Sequence, residues 1–190
     1  MKWRRARFAV LLFPLTILII GTGACEELVE NTDEITVNVP IEKRYFKVDS
    51  ALLSVKKGQT LLHKGYIDVN PDSVLEAQRV DYVTSAKVTE MILGVKDPRC
   101  SELFFLNEAS VVVSATADFR NSFQVAHINN INAESNAVEL NLMNQELVEE
   151  IVAGGFYFKL YGKPSNMPFY KSGGIRMFIE GEVSLNMNKN

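Results

Sequence analysis

Residues 109–117 read Ala-Ser-Val-Val-Val-Ser-Ala-Thr-Ala, and apolar side chains recur there at every second position. A period of two is the spacing of a β-strand with one buried face, so Val111, Val113 and Ala115 are predicted to face a core. Ser110 begins the opposite face of the same strand. This is the clearest predicted strand in the chain. The fold class therefore depends on whether the sequence on either side also has the pattern of strands.

Eight further stretches have the composition or period of strands. They are residues 35–39, 45–48, 59–69, 86–95, 123–128, 138–142, 156–160 and 175–185. The apolar phase slips by one residue near Thr89-Glu90, which predicts a β-bulge. Many short strands separated by turn signals favour an antiparallel β-sandwich, immunoglobulin-like or related, within a single domain over residues 35–190.

Helix signals are few. Asn144 is placed to cap a helix whose apolar face includes Leu147 and Ile151, and Gly154-Gly155 would end it. Pro71 suits a first helical position, so a second short helix is predicted over residues 74–77. The chain is therefore expected to be mainly β, with one or two short helices.

The N-terminus has the pattern of an export signal. Four positive charges lie within residues 2–7, and the apolar run of residues 8–20 is interrupted only by Pro14 and Thr16. A membrane-spanning helix needs about 20 apolar residues, so this run is short for a stable span and suits a signal peptide over residues 1–24.

Residues 21–25, Gly-Thr-Gly-Ala-Cys, resemble the bacterial lipobox, although Thr22 stands where that motif usually has an aliphatic residue. The resemblance implies cleavage before Cys25 and acylation of its sulfur by fatty acids such as palmitate, which would anchor the chain to membrane lipid. The alternative is an ordinary signal peptide cut nearby, with Cys25 left as a thiol.

The chain beyond the signal peptide is acidic. Residues 1–24 hold four of the 20 basic residues and none of the 23 acidic ones, which leaves a net charge of −7 for the remainder. Clustered Lys and Arg are required to bind nucleic acid, so that partner is not expected. Residues 25–34 contain five acids and no base. They are predicted to be a solvated linker between the anchor and the domain.

Three stretches make the chain similar to uncharacterised Bacteroidota β-sandwich outer-membrane lipoproteins. They are residues 81–89, residues 104–111, and residues 138–140 leading to Asn144. In such lipoproteins, acidic residues directly after the cysteine, as at Glu26 and Glu27, resemble a signal for export to the outer face of the outer membrane. The resemblance implies a fold and a cell-envelope location, and it implies no activity.

The sequence presents no catalytic constellation. His63 and His127 lie in different predicted strands without acidic neighbours at ligand spacing, and no nucleophile elbow or phosphate-binding glycine loop occurs. No cofactor and no metal are expected. Residues 68–73 have oxygen ligands at alternate positions but lack the glycine and the closing Glu of an EF-hand, which leaves only an irregular calcium site open. Cys100 is expected to be a small buried hydrophobe.

Two kinds of surface site are candidates. Ser50 and Ser73 follow an Asp and precede an aliphatic residue, which resembles the acceptor motif of Bacteroidota O-glycosylation. The segment 161–174 is rich in Gly and Pro and is predicted to be irregular. Its large side chains Met167, Phe169 and Tyr170 form a candidate partner-binding loop, or else fold back to cap the sandwich.

We therefore expect a non-enzymatic, membrane-anchored envelope lipoprotein, exposed at the surface of the outer membrane, that acts as a binding or accessory module for a glycan or a protein. The alternatives are a structural or assembly subunit of an envelope complex and a hydrolase whose site the sequence does not reveal.

Overall fold

The computed structural model describes residues 34–54, 58–69, 71–79, 81–98, 100–166 and 173–188. The strands are β1 Ile35–Val48, β2 Thr60–Asp68, β3 Tyr82–Val95, β4 Leu106–Ser114, β5 Phe123–Asn129, β6 Ala137–Glu139, β7 Asn141–Leu142, β8 Gly155–Pro164 and β9 Ile175–Asn188. The helices are α1 Ser50–Ser54, α2 Pro71–Gln78 and α3 Val148–Val152.

The strands form two antiparallel sheets that face each other. Sheet 1 has the order β1-β9-β3-β6, and sheet 2 has the order β2-β8-β4-β5-β7. The predicted antiparallel β-sandwich is thus confirmed. Its pairs are nested, since β1 pairs with β9, β2 with β8, β3 with β6 and β4 with β5. This nesting is the jelly-roll arrangement, which differs from the strand order of an immunoglobulin domain.

The core lies between the inner faces of the two sheets. Val111 and Val113 on β4 are fully buried there, as their spacing predicts. Large side chains from both sheets fill the remaining volume, among them Phe105, Phe156, Phe158, Met91, Leu93 and Leu160. Burying one such side chain contributes roughly 1.5–3 kcal/mol, so this layer is the main source of stability.

Several strands are bulged, and two of the bulges bear on the predictions from sequence. The register of β3 against β9 shifts between Val88 and Glu90, which confirms the bulge predicted at Thr89-Glu90. Residues 45–48 are predicted to continue the strand of residues 35–39 after a break, and both stretches do belong to one strand, β1. Its register shifts between Ile41 and Arg44, so the apparent break is a bulge in a continuous strand.

The predicted strand over residues 138–142 is wrong as a single element. β6 pairs with β3 in sheet 1, whereas β7 pairs with β5 in sheet 2. Between them Leu140 is buried, and its backbone N–H donates to the Met91 carbonyl at 2.8 Å. The chain therefore crosses from one sheet to the other at Leu140, which keeps the period of two without continuing the strand.

The helices also depart from expectation. The described ranges contain three helices rather than one or two, since residues 50–54 form α1. Asn144 does not cap α3, because Leu147 is the N-cap and no side chain bonds there. The end of α3 is as predicted, since Gly154 and Gly155 both have positive φ. A Cβ on Gly155 would overlap the carbonyl oxygen of Ile67, so this position requires glycine.

Candidate functional site

The outer face of sheet 2 carries a row of tyrosines and lysines on β8. Phe156, Phe158 and Leu160 point into the core, so the residues between them project outward. The register places Tyr66 opposite Tyr157, Lys64 opposite Lys159, and Leu61 opposite Tyr161. We name Lys64, Tyr66, Tyr157, Lys159 and Tyr161 the tyrosine–lysine face.

Two tyrosine rings form one end of this face. The ring centroids of Tyr66 and Tyr157 are 4.8 Å apart with an interplanar angle of 55°. Tyr66 is 37% exposed. Desolvation of its hydroxyl raises the pKa of Tyr66, and the charges of Asp68 and Tyr157 raise it further. The hydroxyl therefore remains protonated at neutral pH and can donate a hydrogen bond to a ligand.

Two lysines occupy the middle of the face. Lys64 and Lys159 are directly opposed on antiparallel strands, where Cβ atoms lie about 4.5–5.5 Å apart. Neither ammonium group forms an ion pair with a carboxylate in the described part of the chain. Like charges in this position destabilise a sheet. A local conflict of this kind is expected where function selects against stability.

Phe119 covers part of the lysine pair. Lys159 Nζ lies 3.9 Å from the centroid of its ring. Phe119 sits in a turn at φ 59°, which is unusual for a bulky residue. Asp118 organises that turn, since it accepts hydrogen bonds from the Thr116 hydroxyl at 2.7 Å and the Arg120 backbone N–H at 3.3 Å. The bond from Thr116 is the main reason that the pKa of Asp118 is lowered.

Polar groups extend the face onto β4 and β5. Ser110 lies between Tyr161 and His127 in the register, and Gln59 Nε2 donates to its hydroxyl at 3.0 Å. His127 Nδ1 is buried and has no hydrogen-bond partner within the described ranges. At the far end Lys163 pairs with Glu108 at 2.6 Å. Lys163 is thus neutralised, in contrast to Lys64 and Lys159.

A second site is the cleft between the edge strands β1 and β2, with a volume of about 410 Å³. His63 lies in it, stacked on Phe46 at 4.4 Å between ring centroids. Burial lowers the pKa of His63, which keeps the imidazole neutral. Glu42 also lines the cleft, but no carboxylate contributes to the lowered pKa of His63.

A third site is a cleft of about 480 Å³ on the outer side of sheet 1. Tyr45 packs edge-on against Phe178 at 6.1 Å, and the guanidinium of Arg176 lies 4.4 Å from the Tyr45 centroid. Lys43 in turn sits over Phe178 and pairs with Glu180 at 2.9 Å. Lys43 is thus neutralised by Glu180, whereas the guanidinium of Arg176 contacts an aromatic ring.

A fourth cleft, of about 470 Å³, is lined by carboxylates at the start of α3. Glu146 accepts hydrogen bonds from Ser85 Oγ and the Ala86 N–H, and it pairs with Lys87 at 3.0 Å. Desolvation raises the pKa of Glu146, but these three donors outweigh it and the net direction is down. Glu146 therefore fastens α3 to β3. Within the described ranges no three His, Cys, Asp or Glu side chains are grouped to hold a metal ion.

Several residues singled out in the sequence lie outside the described residues: Cys25, Met167, Phe169 and Tyr170, together with the signal peptide and most of the linker. Tyr161 and residues 162–164, predicted to be irregular, extend β8 instead. Among the helices that the structure describes, none has both the length and the apolar character needed to cross a membrane.

The other predicted residues are placed as follows. Ser50 is the first residue of α1, and Ser73 is exposed on α2 rather than in a turn. His63 and His127 lie in β2 and β5, as expected. Cys100 is buried as predicted, and its thiol donates to the Glu102 carbonyl at 3.2 Å.

No protein-family model and no curated protein matches the chain. The chain is similar to a chain of turnip yellow mosaic virus at 12% identity, with 81% of this chain and 94% of that chain covered and a TM-score of 0.30. It is also similar to a chain of desmodium yellow mottle tymovirus at 14% identity, with 83% of this chain and 90% of that chain covered and a TM-score of 0.27. Its identity to a chain of infectious bursal disease virus Gx strain is 8%, with 83% of this chain and 37% of that chain covered and a TM-score of 0.34. TM-scores this low carry no argument about fold or function.

The sequence alone did not reveal the tyrosine–lysine face. Alternation over residues 156–161 predicts which side chains turn inward, and the same pattern turns Tyr157, Lys159 and Tyr161 outward. The missing information was the partner strand, because only the register places Lys64 and Tyr66 beside them.

Proposed function

We propose that this protein is a lipid-anchored binding module of the cell envelope, held by acylated Cys25, and that its tyrosine–lysine face binds a glycan. The observation that carries the proposal is the pair of rings, Tyr66 and Tyr157, displayed on the outer face of a hydrogen-bonded sheet. Aromatic rings offer an apolar face and, in tyrosine, a polar tip. The C–H face and hydroxyls of a sugar ring match those two features.

The sheet makes the rings rigid. Tyr66 and Tyr157 are on directly paired strands, and the Tyr66 hydroxyl lies beside the Gly154-Gly155 turn. A site on paired strands loses little conformational entropy on binding, which favours recognition of a weakly bound ligand such as a saccharide.

The anchor would tether the domain to the membrane. Residues 26–34 are nine in number, and a fully extended chain of that length spans at most about 30 Å. Two or three acyl chains would make the attachment effectively permanent, since each buried CH₂ contributes about 0.8 kcal/mol. The module would then act on glycans at the surface to which it is fixed.

One observation favours a second function, an assembly subunit that pairs with another envelope protein. β1 is a strand of 14 residues at the edge of sheet 1, and an unpaired edge can accept a strand from a partner. However, Pro40 and the bulge between Ile41 and Arg44 interrupt this edge, and three charged residues follow at 42–44. Such features block edge pairing, so we favour the glycan module.

Binding of full-length protein, reconstituted in zwitterionic vesicles, to a glycan array tests the proposal. Tyr66→Ala and Tyr157→Ala should each weaken binding about tenfold, which corresponds to about 1.4 kcal/mol. Tyr82→Ala is the matched control, since Tyr82 is 42% exposed but lies in sheet 1, and it should bind as the parent does.

Two results would overturn the proposal. One is a parent protein that binds no glycan on the array. The other is binding that survives both tyrosine variants but is lost in Phe169→Ala with Tyr170→Ala, which would move the contact to the loop. Circular dichroism of every variant separates lost binding from lost folding.

A further inference from the structure

We infer that the glycan bound by the tyrosine–lysine face is anionic, a saccharide whose carboxylate or sulfate groups lie over Lys64 and Lys159. This inference rests on the proposed function and narrows its ligand class. It starts from the two directly opposed lysines, which repel each other in the free protein and have no carboxylate partner among the described residues. An anionic group between them would turn that repulsion into attraction.

Lys163, a third lysine on β8, differs from the central pair because it has a carboxylate partner. Lys163 lies four residues beyond Lys159 on β8, and its ammonium contacts the Glu108 carboxylate at 2.6 Å. Glu108 thus serves Lys163, and within the described ranges no carboxylate lies at ion-pair distance from Lys64 or Lys159. Because the chain beyond residue 24 carries a net charge of −7, two uncompensated lysines side by side are a local exception to its charge.

The position of Lys159 is fixed rather than free. Its Nζ lies 3.9 Å above the Phe119 ring, and Phe119 is held there with φ 59°. A bulky residue in the left-handed region costs free energy and persists where the surroundings impose it. The conformation of the turn therefore lowers the stability of the fold and places a ring against one ammonium group. This is a second observation, separate from the lysine pair, that favours a binding site here.

The spacing along β8 fits a short oligosaccharide. Tyr157, Lys159 and Tyr161 project from alternate positions, about 6.6–6.8 Å apart at the rise of an antiparallel strand. Aromatic, cationic and aromatic side chains thus follow one another in a line. A sugar chain with an acid group on one unit could stack its flanking units on the rings.

The test compares three probes of equal length: an oligogalacturonate, a sulfated oligosaccharide and a neutral cello-oligosaccharide. Full-length protein in zwitterionic vesicles should bind at least one anionic probe about tenfold more tightly than the neutral one. High salt should weaken that preference, because screening shortens the range of charge–charge attraction. Lys64→Met and Lys159→Met should each weaken binding of the anionic probe by a larger factor than binding of the neutral probe, so that the preference is lost.

Lys47→Met is the matched control. Lys47 is exposed on β1 in sheet 1 and forms no ion pair within the described ranges, so its loss should leave all affinities unchanged. Equal binding of charged and neutral probes by the parent would overturn the inference while the glycan-binding proposal stands. A parent protein that binds none of the three saccharides would overturn both the inference and the glycan-binding proposal. Equally tight binding of vesicles with anionic headgroups, sensitive to the same lysine variants, would assign the site to lipid and overturn the inference as well.

Discussion

At the scale of single residues, the surroundings of His63 decide its charge. The imidazole is stacked on Phe46 with an interplanar angle of 9°, and Phe158 lies 5.7 Å away between centroids. These rings replace water around the imidazole without offering a counter-charge, which is why the pKa of His63 is lowered. The residue is better suited to packing than to proton transfer.

His63→Phe should make the stability of the protein less dependent on pH. The folded pKa of His63 is below its ordinary value of 6.5, so the unfolded chain binds the proton more readily. The contribution of neutral His63 is complete above pH 6.5 and is lost as the pH falls through the lower folded pKa. Urea unfolding at pH 8 and pH 5, as trial values on either side of that range, should show a smaller loss in the variant than in the parent.

We expect that difference to stay below about 1 kcal/mol, because the imidazole is only partly buried and solvent screens it. Phenylalanine preserves the stacking on Phe46, so the two proteins should agree at the higher pH. A variant that loses as much stability on acidification as the parent would contradict the assignment.

Predictability at this scale stops at the partner strand. The inward set Phe156, Phe158 and Leu160 follows from alternation alone, because a buried face has one period. The opposition of Lys64 to Lys159 does not follow, since a register shift between Leu61 and His63 sets it. One added residue in a strand reverses which side chains share a face.

At the scale of elements, periodicity predicts strands better than it predicts their sheets. The bulge in β3 could be predicted because the alternation of apolar side chains shifts by one residue within the strand. The crossing at Leu140 was not readable, because alternation continues through it while the hydrogen-bonded partner changes from β3 to β5. Asn144 was wrong as a cap, since α3 begins at Val148 after a segment in which Glu146 bonds to β3.

The β2–β8 pair gives a prediction at this scale. Lys64→Glu replaces a like-charged cross-strand pair by an opposite one, and such pairs contribute roughly 0.2–1 kcal/mol. We expect the free energy of unfolding to rise by about 0.5 kcal/mol in urea titrations. Lys64→Met, which only removes the repulsion, should show a smaller gain.

The same substitution should abolish any preference for anionic saccharides. A gain in stability with a loss of binding is the pattern of a site maintained at the expense of the fold. Unchanged or lower stability in Lys64→Glu would mean that the two ammonium groups do not repel each other in the native sheet.

At the scale of the whole molecule, the fold class was predictable and the connectivity was not. Nine strand stretches and few helix signals indicate a sandwich, because sheets with one apolar face have few other ways to bury it. The nested order depends on contacts between residues far apart in sequence, such as Ile35 with Met187. No local pattern records such a pairing, so immunoglobulin-like and jelly-roll orders look alike in the sequence.

The membrane anchor remains a prediction and can be tested on the intact protein. Cys25→Ser should leave the chain unacylated and release it from the membrane fraction, since no sulfur would remain at that position to carry the chains. Mass spectrometry of the parent should find acyl chains on Cys25. A serine variant that fractionates with membranes as the parent does, together with a parent that carries no fatty acid, would contradict the lipoprotein proposal.

The pairing of β1 with β9 has a consequence for biogenesis. A ribosome delivers β1 long before β9, so the first strand has no partner until residues 175–188 have been made. Until then an unprotected edge is open to proteases and to other nascent chains, and a chaperone would have to shield it. A chain truncated before Ile175 lacks β9 and should therefore expose β1 and be degraded.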